Sequence, residues 1–183
     1  MTLYYFDIET TGLDPVKDQI LTIQYQKLDT LKGYAIDPLK ILKVWDNDQS
    51  EKRIISCIAP MLMESNPWRF VPVGNNLSFD FRFISSKIKQ HLDLEIDTLY
   101  FLMRPNIDLK HILILLNGGK FKGYNQILGK QEDGEKIPQW YDTREYEKII
   151  NYIKNEANSF TKLYAKLQQL LPNLFNRRID SYA

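Results

Sequence analysis

The chain has 183 residues, 44% hydrophobic and 26% charged, with 24 Lys and Arg against 23 Asp and Glu for a net charge of +1. That size and balance fit one globular domain over residues 1–183 with a sizeable core, and any surface for a polyanion must be local rather than a bulk property. One cysteine, Cys57, excludes an internal disulfide; no Cys/His cluster has zinc spacing, and no apolar run approaches the roughly 18 residues of a membrane span. The expectation is a soluble cytoplasmic protein with no membrane partner.

Residues 3–8 form a short apolar run suited to a central strand, followed by the turn Thr11-Gly12-Leu13-Asp14-Pro15. Residues 19–26 alternate, with Leu21, Ile23 and Tyr25 on one face, and a third strand falls within residues 34–45, interrupted by Pro38. Together these predict an antiparallel meander. Residues 50–63 place Ile54, Ile55, Ile58, Met61 and Leu62 at helical spacing, and residues 70–73 then predict a strand reached by a crossover.

Gly74-Asn75-Asn76 turns the chain into a helix from residue 78 to about residue 90, with Phe79, Phe83, Ile84 and Ile88 inward. A further strand is expected over residues 95–100, flanked by Asp93 and Asp97. A helix over residues 109–116 stops at Asn117-Gly118-Gly119. Residues 120–138, with Gly123, Gly129 and Gly134, predict a long surface loop with some short helix, in which Lys120, Lys122 and Lys130 either meet solvent or bind phosphate. The strongest helix covers residues 146–171, where Tyr146, Ile149, Ile153, Ala157, Phe160, Tyr164 and Leu167 keep a 3.6 period until Pro172, the expected stop. The fold class is α/β: a mixed sheet of a three-strand antiparallel meander plus two parallel strands, flanked by helices and closed by a long C-terminal helix.

Four acids stand out. Asp7 and Glu9 are two apart on a strand, so both leave the same face with Cα atoms roughly 6–7 Å apart. Carboxylates that close raise each other's pKa unless a cation intervenes, and Mg²⁺ or Mn²⁺ suits clustered oxygens; the other reading is a solvated strand end with Thr10 or Thr11 capping the turn. Asp80 lies in the first turn of its helix, where it either meets the helix dipole or binds at the sheet's edge. Glu156 lies about 45° from the centre of the apolar stripe of the last helix, so it points inward and needs a salt bridge or a metal ion. Tyr152 sits one turn earlier on the same flank. His91 and His111 lack ligand spacing and are expected at the surface or at helix ends.

These residues carry a resemblance. FDIETTGLDP resembles the first motif of the DEDD 3′-to-5′ exonucleases, whose fold is ribonuclease H-like, and GNNLSFDFRFI resembles the second, with Asn76 four residues ahead of Asp80. YIKNE, residues 152–156, resembles the tyrosine form of the third motif but has Glu where that family has Asp; FTKLYAKL follows it as in the family. IDTLYFLM resembles the Asp-Thr strand between the second and third motifs.

The resemblance implies a phosphodiester hydrolase that shortens single-stranded nucleic acid from its 3′ end, with DNA slightly favoured over RNA and a polymerase or repair protein as a further partner. It implies two Mg²⁺ or Mn²⁺ ions about 3.5–4 Å apart, held by Asp7, Glu9, Asp80 and Glu156, with Asp7 bridging and Tyr152 orienting the attacking water. Thr10, Thr11, Gly12, Leu13, Asn76 and Phe79 would lie against the terminal nucleotide, Leu13 as an apolar wedge, without sequence specificity.

Glutamate at 156 carries its carboxylate roughly 1.5 Å further than aspartate would, whereas Mg²⁺ holds ligands at about 2.0–2.1 Å. Three outcomes stay open: a retreated helix with activity kept, a preference for Mn²⁺, or a nuclease-fold module that binds nucleic acid or a replication or repair partner without cutting. An internally cutting ribonuclease H is a further reading, disfavoured by the tyrosine motif. The sequence sets no oligomeric state.

Overall fold

The alternating and helical periods in the sequence condense into β1 (Leu3–Thr10), β2 (Ile20–Leu28), β3 (Lys40–Lys43), α1 (Glu51–Leu62), β4 (Val71–Gly74) and α2 (Leu77–Leu92). The order continues with α3 (Thr98–Leu102), β5 (Ile107–Asp108), α4 (Leu109–Leu116), α5 (Ile137–Asp142) and α6 (Tyr146–Ile179). The computed structural model describes residues 1–120 and 134–179, with side chains as far as residue 170. The expectations for Lys122, Lys130, Gly123 and Gly129 lie outside the described residues.

The sheet order is β3-β2-β1-β4-β5. β1 pairs antiparallel with β2, and β2 with β3, while β1–β4 and β4–β5 are parallel. This is the mixed sheet expected from the sequence, with β1 at its centre. Side chains of β1 alternate between two cores. Phe6 and Ile8 join Ile54, Ile55 and Ile58 of α1 and Phe81, Phe83, Ile84 and Ile88 of α2. Leu3 and Tyr5 join Leu28, Val71 and Val73 with Ala157, Phe160, Tyr164 and Leu167 of α6.

Tyr5 and Phe160 meet with ring centroids 4.9 Å apart, and burying each such side chain stabilises the fold by about 1.5–3 kcal/mol. With helices on both faces, β2 buries Ile20 through Gln24 without interruption, where alternation alone leaves one face polar and wet. At the head of α1, the Ser50 side chain accepts the N–H of Arg53, giving one of the unpaired donors of that helix end an acceptor.

Three expectations are corrected. Residues 95–100 are not a strand, and neither is the segment matched to the family's Asp-Thr strand. Asp97 caps α3 by accepting the N–H of Tyr100, and Phe101 is the α3 residue that reaches the core. The fifth strand is instead the two-residue β5, which pairs with Val73 and Gly74. The loop expected through residue 138 ends earlier, because Pro138 lies in the first turn of α5, where its missing N–H costs nothing. Finally, α6 runs through Pro172 to Ile179, so the loss of one backbone donor does not stop a helix of 34 residues.

Candidate functional site

The odd-numbered residues of β1 leave the core at its C-terminal end, so that Leu3 and Tyr5 are followed on the same face by Asp7 and Glu9. In the register, Asp7 stands opposite Gln24 and Glu9 opposite Thr22. The pairing then slips between Glu9 and Thr10, leaving Leu21 as the extra residue of a bulge at the point where the strand gives way to the turn. The Asp7 carboxylate accepts from Gln24 Nε2 at 3.0 Å and from the Tyr5 hydroxyl at 3.2 Å, both on Oδ2.

On the same face of the sheet, where α6 packs on Leu3 and Tyr5, that helix brings Tyr152 and Glu156, one turn apart. Ligand oxygens of Asp7, Glu9 and Glu156 lie within 4.8 Å of one another, and all three residues are half-buried. Tyr152 is buried beside them. Burial first, then the charges of Glu156 and Glu9, a hydrogen bond to Glu156 and the charge of Asp7 push its pKa far above the ordinary phenol value. The hydroxyl therefore stays protonated and donates to Glu156.

Asp80 arrives from the first turn of α2 and is only 3% exposed. Its Oδ1 accepts the backbone N–H of Ile8 at 3.1 Å, which ties α2 to β1 between the two acids of that strand. Burial first, and then the charge of Asp7, hold its pKa well above the ordinary carboxylate range, against the lowering effect of backbone N–H groups. Asp80 feels the charge of Asp7 but is not one of the three residues whose oxygens converge.

This donor set fits a hard divalent cation in kind: all oxygen, all carboxylate, with like charges brought together. Three oxygens on one Mg²⁺ include at least two adjacent pairs about 3 Å apart, so a single ion would draw together any pair spread toward the 4.8 Å limit.

The turn after β1 is held by its own hydroxyls and acids. Thr10 Oγ1 donates to Gly12 O at 2.6 Å, Thr11 Oγ1 accepts the N–H of Gln19 at 2.9 Å, and Asp18 accepts the N–H of Asp14 at 2.8 Å. A Cβ on Gly12 would collide with the Asp18 carboxylate, so glycine is what lets the turn close. Leu13 at the tip is 80% exposed.

Asn76 takes a left-handed conformation, φ 65°, at the head of α2. Its N–H and that of Leu77 donate to the two oxygens of Asp108, and its side-chain oxygen accepts from Lys110 Nζ at 2.8 Å. Asn76 thus holds the turn that aims Asp80. Phe79 is half-buried against Phe83, with ring centroids 4.9 Å apart and the Arg82 guanidinium 5.9 Å from the centroid of its ring. Gly134, just ahead of α5, completes the surroundings: a Cβ built there would lie 3.3 Å from the Tyr152 hydroxyl.

Several residues escaped the sequence reasoning. Gln24 and Thr22 are fully buried beneath the acid pair, although their spacing suits a wet face. Asp108 directly precedes an apolar helix and was legible as an N-cap, and its side chain does accept the N–H of Lys110. His91 is at a helix end as expected, but its Nε2 lies 2.7 Å from Glu51 Oε2.

A mixed sheet in this strand order, with acids gathered on its central strand and its long closing helix, defines a ribonuclease H-like protein. The chain belongs to the RNase_H superfamily, whose family model matches residues 4–168. No curated protein matches it. Among solved structures it is similar to E. coli exonuclease I in the zinc-bound form of its complex with single-stranded DNA, at 13% identity and TM-score 0.51 over 63% of this chain and 29% of that one. Complexes of the same E. coli enzyme with a 5cy-dA13 and with a dA16 oligonucleotide each give 14% identity and TM-score 0.50, over 63% of this chain and 30% of that one. The chain thus spans less than a third of that enzyme's length, and the likeness is one of fold. Among the described residues, no helix is long and apolar enough to cross a membrane.

Proposed function

We propose that the protein is a metal-dependent exonuclease that removes nucleoside monophosphates from the 3′ end of single-stranded nucleic acid, DNA in preference to RNA, with residues 1–183 as one catalytic domain. The observation that carries this reading is the convergence of Asp7, Glu9 and Glu156 from two distant parts of the chain. Gathering like charges costs folding free energy, and a cation removes that cost. Glu156 reaches the cluster despite its longer side chain, which favours catalysis over a module that only binds. The fold shared with E. coli exonuclease I, solved with single-stranded DNA, supports the substrate class.

In this reading Asp7, Glu9 and Glu156 hold Mg²⁺ or Mn²⁺ ions, with Asp80 supporting them from α2. When bound, such ions would neutralise the phosphate and lower the pKa of a water so that it gives up a proton and can attack as hydroxide. Tyr152, a hydroxyl donor at every working pH, holds Glu156 in place and can orient that water. Leu13, exposed at the tip of its turn, wedges against the last base, while the backbone of Thr10, Thr11 and Gly12 and the side chains of Asn76 and Phe79 border the nucleotide. A polymerase or repair protein would present the strand.

The test is a 5′-labelled single-stranded oligonucleotide, DNA or RNA, incubated with the protein and Mg²⁺ or Mn²⁺. Stepwise shortening from the 3′ end is expected, absent in Asp7→Ala. No shortening with either metal, together with an unaltered Asp7→Ala variant, sinks the enzyme reading and leaves a nucleic-acid-binding module.

A further inference from the structure

Gln24 and Thr22 are both 0% exposed on the central part of β2, directly across from Asp7 and Glu9. Burying an amide or a hydroxyl costs roughly 1–3 kcal/mol unless it is hydrogen-bonded, and an apolar pair would fill the same space without that cost. The two side chains form a directed chain instead. Thr22 Oγ1 donates to Gln24 Oε1 at 3.0 Å, and Gln24 Nε2 donates to Asp7 Oδ2 at 3.0 Å.

The Asp7 carboxylate can only accept and so takes the amide nitrogen, and the Thr22 hydroxyl, able to donate, holds the amide oxygen and fixes the side chain in that orientation. With the Tyr5 hydroxyl on the same Oδ2, two donors fix the rotation of the Asp7 carboxylate and hence the place of its other oxygen. The chemistry of the donor matters as much as its position. A lysine at 24 would neutralise Asp7 and compete with a cation, and a glutamate would repel it, whereas an amide grips the carboxylate and leaves its negative charge intact.

We infer that Gln24, oriented by Thr22, is a positioning residue that presents the Asp7 carboxylate to a divalent cation. The inference rests on the metal-dependent reading of the site. Gln24 is sealed from solvent, so it acts through Asp7 and touches neither substrate nor the reacting atoms. Partners that orient a ligand in this way are worth about 10–100-fold in metal affinity.

Mn²⁺ affinity, measured by titration calorimetry and by the electron paramagnetic resonance signal of free Mn²⁺, tests it without reference to turnover. Gln24→Leu should bind Mn²⁺ about 10–100-fold more weakly; because it takes the acceptor from the buried Thr22 hydroxyl, the double variant Gln24→Leu/Thr22→Val, which leaves neither polar group of the pair behind, should show the same loss at a melting temperature close to wild type. Thr22→Val, which removes only the hydroxyl, should weaken binding by a smaller factor, and Thr22→Ser should restore it. If Gln24→Leu does not fold, Thr22→Val decides alone.

Wild-type affinity in both variants overturns the inference, as does a loss of affinity that only tracks a fall in melting temperature. A wild-type protein that binds Mn²⁺ yet shortens no oligonucleotide ends the exonuclease reading while the affinity series still decides this one. A wild-type protein that binds no Mn²⁺ ends both.

Discussion

Two regions of the molecule bury carboxylates, and they resolve the cost differently. Glu51, at the head of α1, accepts the N–H of Ile20 at 2.6 Å and lies 2.7 Å from His91 Nε2 and 3.8 Å from Lys87 Nζ, the latter two from α2. One side chain thereby ties α1 and α2 to the start of β2, at the foot of the turn that carries Leu13. Asp7, Glu9 and Glu156 instead converge on one another. The knot around Glu51 is completed by the Lys87 ammonium, the His91 ring and a backbone N–H and so is structural. The triad assembles like charges, which folding alone does not reward, and in the proposed function its logic lies in the cation it would hold.

Charge removal should therefore have opposite consequences in the two places. The largest effect is expected from Asp7→Asn, which should lower the rate of 3′ shortening by about 10²–10³-fold or more, the loss typical of deleting one electrostatic stabiliser, while the metal-free protein melts no lower than wild type. Glu51→Gln should do the reverse. It strands the buried Lys87 ammonium and costs about 3–5 kcal/mol in urea unfolding, with the rate per folded molecule unchanged. A Glu51→Gln variant that kept its stability but lost activity would erase the distinction between the regions.

Tyr152→Phe sharpens the contrast within the triad. It should slow shortening by less than Asp7→Asn does, with little change in melting temperature. Because the phenol pKa is pushed far upward by burial and the surrounding acids, the ratio of mutant to wild-type rates should stay constant from about pH 6 to about pH 10. A ratio that collapses within that window would mean that the phenol ionises.

The smallest effect concerns Asp80, whose pKa is raised by burial and by Asp7. A raised acid favours the fold while protonated. Its contribution is fully present below the unfolded value of about 3.9 and is lost as pH rises through the folded value. Asp80→Asn, which can still accept from Ile8, should raise the melting temperature of the metal-free protein by about 2–4 °C at neutral pH, with the gain vanishing near pH 4. A gain that persists at low pH would point to packing rather than charge.

Much of the fold was legible because long periods average out local accidents: β1, β2, α1, α2 and α6 follow the apolar spacing. Residues 95–100 misled because Ile96, Thr98 and Tyr100 alternate over a window too short to separate strand from helix, and Asp97 settles the matter as an N-cap. The two residues of β5 are too few to carry a period. In the site, Asp7 and Glu9 announced themselves by strand spacing and Glu156 by its place beside an apolar stripe. Thr22 and Gln24 did not, since polar residues at every second position of a strand look solvated until long-range packing buries them. Asp108 was visible as a helix cap but not as the acceptor that also holds the head of α2.

Gly134 sets a limit of another kind. Its bare α-carbon stands over the Tyr152 hydroxyl, close enough that even a methyl would come within 3.3 Å. The backbone entering α5 is thus a ceiling above the phenol, with its height fixed by a single hydrogen atom. The space beside the Tyr152 hydroxyl can therefore be narrowed from one position that belongs to none of the acidic motifs.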